Sequence, residues 1–177
     1  FANGKFYVIG GVTVADTIAS DSTVDTYDVA GGTWSAGVPL PVRRQDAVGV
    51  LGPGGDIYVI GGYATNSDSV PQITVYAFSV AGGTWRTLAS LPAPRADACA
   101  AVDAKGIVYV IGGDDGNGPV TTVFAYDAAS NAWRQVASLG AQREEHGCAA
   151  VADGRIVAAG GWDGAGFVPS AEAYTKP

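Results

Sequence analysis

Tyr7-Val8-Ile9-Gly10-Gly11 recurs as Tyr58-Val59-Ile60-Gly61-Gly62 and as Tyr109-Val110-Ile111-Gly112-Gly113, with a worn fourth copy at Val157-Ala158-Ala159-Gly160-Gly161. Successive first glycines stand 51, 51 and 48 residues apart, which marks a repeat protein. Each copy is an apolar, β-branched run too short for a helix and reads as a strand buried on both faces. The two residues without Cβ that end it let the backbone take positive φ and pass close to a neighbour.

Ahead of each copy lies a turn: Asn3-Gly4, Gly52-Pro53-Gly54-Gly55, Asp103-Ala104-Lys105-Gly106 and Ala152-Asp153-Gly154. Such turns join antiparallel neighbours, so a further strand is expected upstream of Phe1. After the first glycine pair, residues 12–23 read as a polar loop without hydrophobic periodicity; residues 63–72 form the other long loop. A strand follows at Val24 to Asp28, with counterparts at Val75 to Ser79, Val123 to Asp127 and Ala171 to Thr175. Its aromatic recurs as Tyr27, Phe78, Tyr126 and Tyr174, and a tryptophan follows seven residues later at Trp34, Trp85 and Trp133. Next comes a connection closed by an arginine, Arg44, Arg95 or Arg143, and then a strand of small residues such as Ala98-Cys99-Ala100-Ala101.

Each unit is therefore four strands in the order small, apolar with double glycine, tyrosine-bearing, tryptophan-bearing. Side-chain bulk that grows along a unit fits sheets fanned around an axis, where inner strands crowd and outer gaps widen. A flat sandwich has no such taper. The expected fold is all-β, a partial β-propeller of four-stranded antiparallel blades forming an open arc rather than a closed ring. The units fall at 1–44 (three strands), 45–95, 96–143 and 144–177 (three strands).

The net charge is −7 with ten basic residues in 177, and the sequence pI is near 4.4. That argues against nucleic acid as a partner. Although 47% of residues are hydrophobic, no stretch approaches the roughly 20 apolar residues of a membrane span, so a soluble protein is expected. The chain has no methionine, and a fragment of a longer chain is the expectation. The alanine- and glycine-rich, lysine-poor composition has a bacterial look and leaves secreted and cytoplasmic compartments both open. Cys99 and Cys148 are too few for a disulfide framework or a metal site. The preferred reading is two small buried apolar side chains; a bridge between adjacent repeats is the alternative, and sequence does not supply the separation that would decide it.

Double glycine after an apolar strand, an aromatic, a tryptophan seven residues on and a strand-opening arginine together resemble kelch repeats over essentially all 177 residues. Gly10, Gly11, Gly61, Gly62, Gly112, Gly113, Gly160 and Gly161 carry the resemblance with the aromatics named above. It departs in the fourth unit, where Val157 replaces the tyrosine and Ala158-Ala159 replace Val-Ile. Kelch domains commonly close as six- or seven-bladed rings, so the resemblance implies that the rest of a propeller, or a second copy, completes this one.

The resemblance also implies a non-catalytic scaffold for a protein or peptide partner. In some kelch domains arginines at the position of Arg44, Arg95 and Arg143 bind a partner's carboxylates, and a guanidinium grips a carboxylate bidentately. Neighbouring Asp46, Asp97, Glu144 and Glu145 offer intramolecular pairing instead. The expected partner-binding set is Arg44, Arg95, Arg143, Glu145 and His146. The alternative is a piece of a carbohydrate-active enzyme resembling galactose oxidase or a sialic acid mutarotase, in which Arg143, Glu145 and His146 line a sugar site. His146 is the lone histidine, so the copper set of galactose oxidase is not assembled, and no metal or cofactor is expected. Asp114-Asp115-Gly116-Asn117-Gly118 reads as a tight surface turn, because it lacks the alternating ligands of a calcium loop.

Overall fold

A computed structural model describes residues 1–14, 18–64 and 70–174. The first sheet holds β1 (Lys5–Ile9), β4 (Val24–Asp28) and β5 (Thr33–Ala36); β2 (Val12–Val14) and β3 (Ile18–Ser20) form a hairpin between them. The second sheet is β6 (Val48–Leu51), β7 (Ile57–Ile60), β8 (Val75–Ser79) and β9 (Thr84–Thr87). The third is β10 (Cys99–Val102), β11 (Val108–Ile111), β12 (Val123–Asp127) and β13 (Ala132–Val136). The fourth is β14 (Gly147–Ala150), β15 (Ile156–Ala159) and β16 (Ala171–Tyr174). Every sheet is an antiparallel meander in chain order.

The small-residue strands β6, β10 and β14 touch one another in series and form the hub. Between the second and third blades, Tyr58, Ile60, Val75 and Ala77 pack on Val108, Val110, Phe124 and Tyr126. Tyr109, Ile111, Val123 and Ala125 do the same against Ile156 and Ala158 of the fourth. At the rim the ring pairs Tyr27–Trp34, Phe78–Trp85 and Tyr126–Trp133 stack at 5.1, 5.0 and 4.9 Å. The indole N–H of Trp85 donates to Val38 O and that of Trp133 to Ala89 O, each at 2.9 Å, so each tryptophan ties its blade to the connection leaving the one before. Filling widening gaps takes large rings with a polar edge, which is what tryptophan supplies. The fold is an open partial propeller.

The double glycine has a steric cause. A Cβ on Gly10, Gly61 or Gly112 would lie 2.4, 2.1 and 2.4 Å from the carbonyl oxygens of Arg44, Arg95 and Arg143. The amides of Gly11, Gly62 and Gly113 donate to those same carbonyls at 2.7, 2.7 and 2.9 Å. Each pair therefore seams its blade to the start of the next, in a backbone contact that any side chain would prevent.

Two expectations need correction. The stretch 12–23 is not an unstructured loop, because Val12-Thr13-Val14 and Ile18-Ala19-Ser20 pair as β2 and β3; the β-branched content of these triplets outweighs the short spacing that hid them. Residues 15–17, residues 65–69 of the second long loop, and Thr175 of the last expected strand lie outside the described residues. Cys99 and Cys148 are not free apolar side chains but a disulfide, with Cα atoms 5.9 Å apart. They hold equivalent places on neighbouring hub strands, and the fan brings those strands within bridging reach.

Candidate binding face at the channel mouth

The arginines that open the hub strands turn inward. Arg44, Arg95 and Arg143 are 3%, 3% and 0% exposed. Arg44 donates to Arg43 O at 2.8 Å and to the Thr74 hydroxyl, and its guanidinium lies 5.4 Å from the Tyr76 ring centroid. Arg95 repeats this with Pro94 O at 2.5 Å, the Thr122 hydroxyl and the Phe124 ring at 4.9 Å. In the fourth blade Glu172 stands where those rings stand. Arg143 donates to it at 2.6 Å, and to Gly160 O and Ser170 O at 2.8 and 3.2 Å. A ring face and a carboxylate are two ways of satisfying one buried cation. The adjacent acids Asp46, Asp97, Glu144 and Glu145 are not among these partners.

Those acids are carried to the mouth. Two residues after each arginine, Asp46, Asp97 and Glu145 adopt φ of 52°, 51° and 51°, a left-handed turn that lifts the chain across the hub. The Asp97 amide donates to Asp46 O at 3.0 Å and the Glu145 amide to Asp97 O at 2.9 Å, which links three blades in one backbone relay. One residue earlier, Gln45, Ala96 and Glu144 exchange backbone hydrogen bonds with Tyr63, Asp114 and Trp162, the residues that follow the glycine pairs. The Tyr63 hydroxyl donates to Asp114 Oδ2 at 2.8 Å. The other Asp114 oxygen accepts from the amides of Gly116 and Gly118 at 2.7 and 3.0 Å, which makes Asp114 to Gly118 a closed turn.

The electrostatics follow from this convergence. Partial burial, and then the charges of Asp46, Glu144, Glu145 and Asp114, push the Asp97 carboxyl up to about 7. Burial, with Asp114 and Glu145, also raises Glu144. Burial and the bond to Asp114 raise the Tyr63 phenol. Beside the carboxylates, Phe167 is 85% exposed and meets the Trp162 ring edge-on at 5.4 Å.

Of the five residues expected to meet a partner, the structure therefore leaves Glu145 at the surface and buries the three arginines and His146. His146, 8% exposed, takes the place of Ala47 and Ala98 in the earlier blades and fills the seam beneath Gly112, with both ring nitrogens unbonded. Burial, then Arg143, lowers it to about 4, so the imidazole is neutral near pH 7. Among the described residues no helix is long and apolar enough to cross a membrane.

From the sequence, Asp46, Asp97 and Glu144 read only as neutralisers of arginine, while Glu145 was expected both in that role and in the partner-binding set. The available signal was their offset: an acid stands two residues after the arginine in three consecutive units.

Comparison with known proteins places this geometry. A family model described as the KLHDC2/KLHL20/DRC7 Kelch-repeats domain matches residues 1–172. An F-box/kelch-repeat protein of Arabidopsis thaliana, At1g67480, is 31% identical over 112 residues, covering 63% of this chain and 29% of that protein. The human Kelch repeat and BTB domain-containing protein 13 is 34% identical over 95 residues, covering 52% of this chain and 19% of that protein. The chain thus spans less than a third of the length of these relatives. The solved structure of YjhT superposes with a TM-score of 0.78 at 18% identity over 91% of this chain and 57% of that one, a likeness of fold. With the repeat, the glycine seams and the rim tryptophans in place over 1–172, the chain belongs to the kelch-repeat family.

Proposed function

We propose that this arc is a non-catalytic scaffold that holds a basic segment of a protein partner across its mouth. The observation that carries the reading is the backbone relay from Asp46 to Asp97 to Glu145, which brings Asp46, Asp97, Glu144 and Glu145 from three blades together near Asp114; burial first, and then these charges, raise the Asp97 carboxyl to about 7. A lysine or arginine there relieves repulsion that the free protein bears. The exposed Phe167 against Trp162 offers an apolar anchor beside the charge, the composition of a binding hot spot. Kelch-repeat proteins commonly serve as interaction scaffolds, which supports the class of function. The buried arginines act as positioning residues: their carbonyls seam the blades, and their turns lift the acids.

The carbohydrate reading draws less support, because Arg143 and His146 are buried while Glu145 is exposed, so these three do not line one surface. The test is fluorescence anisotropy with labelled decapeptides rich in Lys/Arg or in Glu. The basic peptide should bind, weaken as salt rises, and lose about tenfold in affinity on Glu144→Gln/Glu145→Gln. Equal binding of both peptides, or no effect of the double substitution, overturns the proposal.

A further inference from the structure

The seam between the third and fourth blades is built less firmly than the one before it. Between the second and third blades the buried core takes in Tyr58, Phe124 and Tyr126, and the Tyr58 and Tyr126 rings meet edge to face at 6.0 Å. The buried core of the next seam holds a single aromatic, Tyr109, among small and aliphatic residues such as Ala101, Ala125, Leu139 and Ala158. Less ring surface is therefore buried there.

Two further features oppose closure of that seam. Against Gly62 and Gly113 the earlier blades set Ala47 and Ala98, whereas against Gly161 the fourth sets His146. The His146 ring is buried with both nitrogens unpartnered, and a polar group held without a hydrogen bond destabilises the closed arrangement. Like charges also face one another: Asp97 and Asp114 of the third blade feel Glu144 of the fourth, and Asp97 feels Glu145 as well. Their repulsion pushes the blades apart.

This is also the seam that carries the disulfide. Cys99 opens β10 and Cys148 lies in β14, with their Cα atoms 5.9 Å apart. Asp97 precedes Cys99 by two residues and Glu145 precedes Cys148 by three, so the bridge lies next to the relay bond from the Glu145 amide to Asp97 O at 2.9 Å. The matching bond one blade earlier, from the Asp97 amide to Asp46 O at 3.0 Å, has no covalent tie beside it. Both cysteines keep some solvent access, which thiol–disulfide exchange requires.

We propose that Cys99–Cys148 is a redox latch on the acidic mouth, closed as the disulfide and opened by a dithiol reductant. The dithiol attacks one sulfur as its thiolate and forms a mixed disulfide, which its second thiol resolves. The Cys99–Cys148 bond breaks, two electrons and two protons pass to the cysteines, and the reductant leaves as a disulfide. Without the bridge, the stranded imidazole and the facing carboxylates open the seam, the Glu145–Asp97 bond is lost, and a basic segment meets fewer acids at once. The regulated ligand rests on the reading of the mouth as a site for a basic segment; the opening of the seam does not.

The experiment compares the whole chain oxidised, treated with dithiothreitol without denaturant, and as Cys99→Ser/Cys148→Ser. Thiols are counted by mass spectrometry and amide exchange is followed by NMR. Native reduction should release both thiols and speed exchange of the Glu145 amide at least about tenfold, while the Asp97 amide in the unbridged seam changes less than about twofold. The Lys/Arg-rich decapeptide should bind the reduced protein about fivefold more weakly. His146→Ala, which restores the alanine of the earlier blades, should shrink that loss. The latch is overturned if the bridge yields to dithiothreitol only in denaturant, if Glu145 exchange is unchanged on reduction, or if both amides speed up equally, which makes the bridge a uniform stabiliser. A basic peptide that binds both redox forms equally removes the regulatory role and leaves the scaffold reading standing. One that fails to bind the oxidised protein removes the scaffold reading, and the exchange rates still decide whether the seam opens.

Discussion

Breaking the Cys99–Cys148 bridge should cost this protein about 4 kcal/mol. The two residues lie 49 apart in sequence, and closing a loop of roughly that length removes about 14 cal/mol/K from the unfolded chain, or about 4 kcal/mol at 25 °C, in the chain-entropy account. Both side chains are half-buried, so replacing them by alanine adds little cavity cost. In a domain of this size that energy lowers Tm by roughly 8–16 °C. The assay is urea and thermal unfolding of the oxidised protein, the protein in reductant, and Cys99→Ala/Cys148→Ala, with thiol counting by mass spectrometry. The reduced protein and the double variant should coincide. Loss should start in the fourth blade, whose hub strand β14 is the one the bridge ties to β10; faster exchange there at Gly147–Ala150 is the local signature. Stability within about 1 kcal/mol across all three samples would refute the argument, because the hub would then be held by packing alone.

Two further outcomes follow from the buried charges. Glu172→Ala strands the fully buried Arg143 without its carboxylate and should cost on the order of 3 kcal/mol in urea unfolding, the range for one orphaned member of an ion pair; Glu172→Gln, which keeps an acceptor, should cost less. Asp97, raised in the folded state to about 7, contributes stability that is full below the unfolded carboxylate range and is lost as pH rises through 7. Asp97→Asn should therefore match the parent near pH 4 and exceed it at pH 8, by about 2 kcal/mol after discounting for solvent access. His146, lowered to about 4, has the opposite sign and costs stability as pH falls from 6.5 towards 4, which offsets part of the Asp97 effect in the parent's own profile.

How much of this was legible in the sequence divides by the reach of each signal. The blade order was legible because the glycine pairs, aromatics and tryptophans repeat at fixed offsets and each type has one steric use in a fan of sheets. The arginines were visible as strand openers, but their inward turn depends on Thr74, Tyr76, Thr122, Phe124 and Glu172, some 27–32 residues away, and on the left-handed turn that follows them. That turn sends the acids outward instead and reverses the sign of the expected surface. The disulfide was out of reach because equivalent positions in consecutive repeats mean little until the distance between hub strands is known. The β2–β3 hairpin was missed because triplets are too short to show a period of two.

The central claim is that carboxylates from three blades converge on one face, and the most direct measurement is the carboxyl ¹³C titration of Asp97 by NMR. The account predicts a midpoint near 7 that falls when Glu144 and Glu145 are changed to Gln. A midpoint near 4, unmoved by those substitutions, would mean that the acids do not meet and would contradict the account.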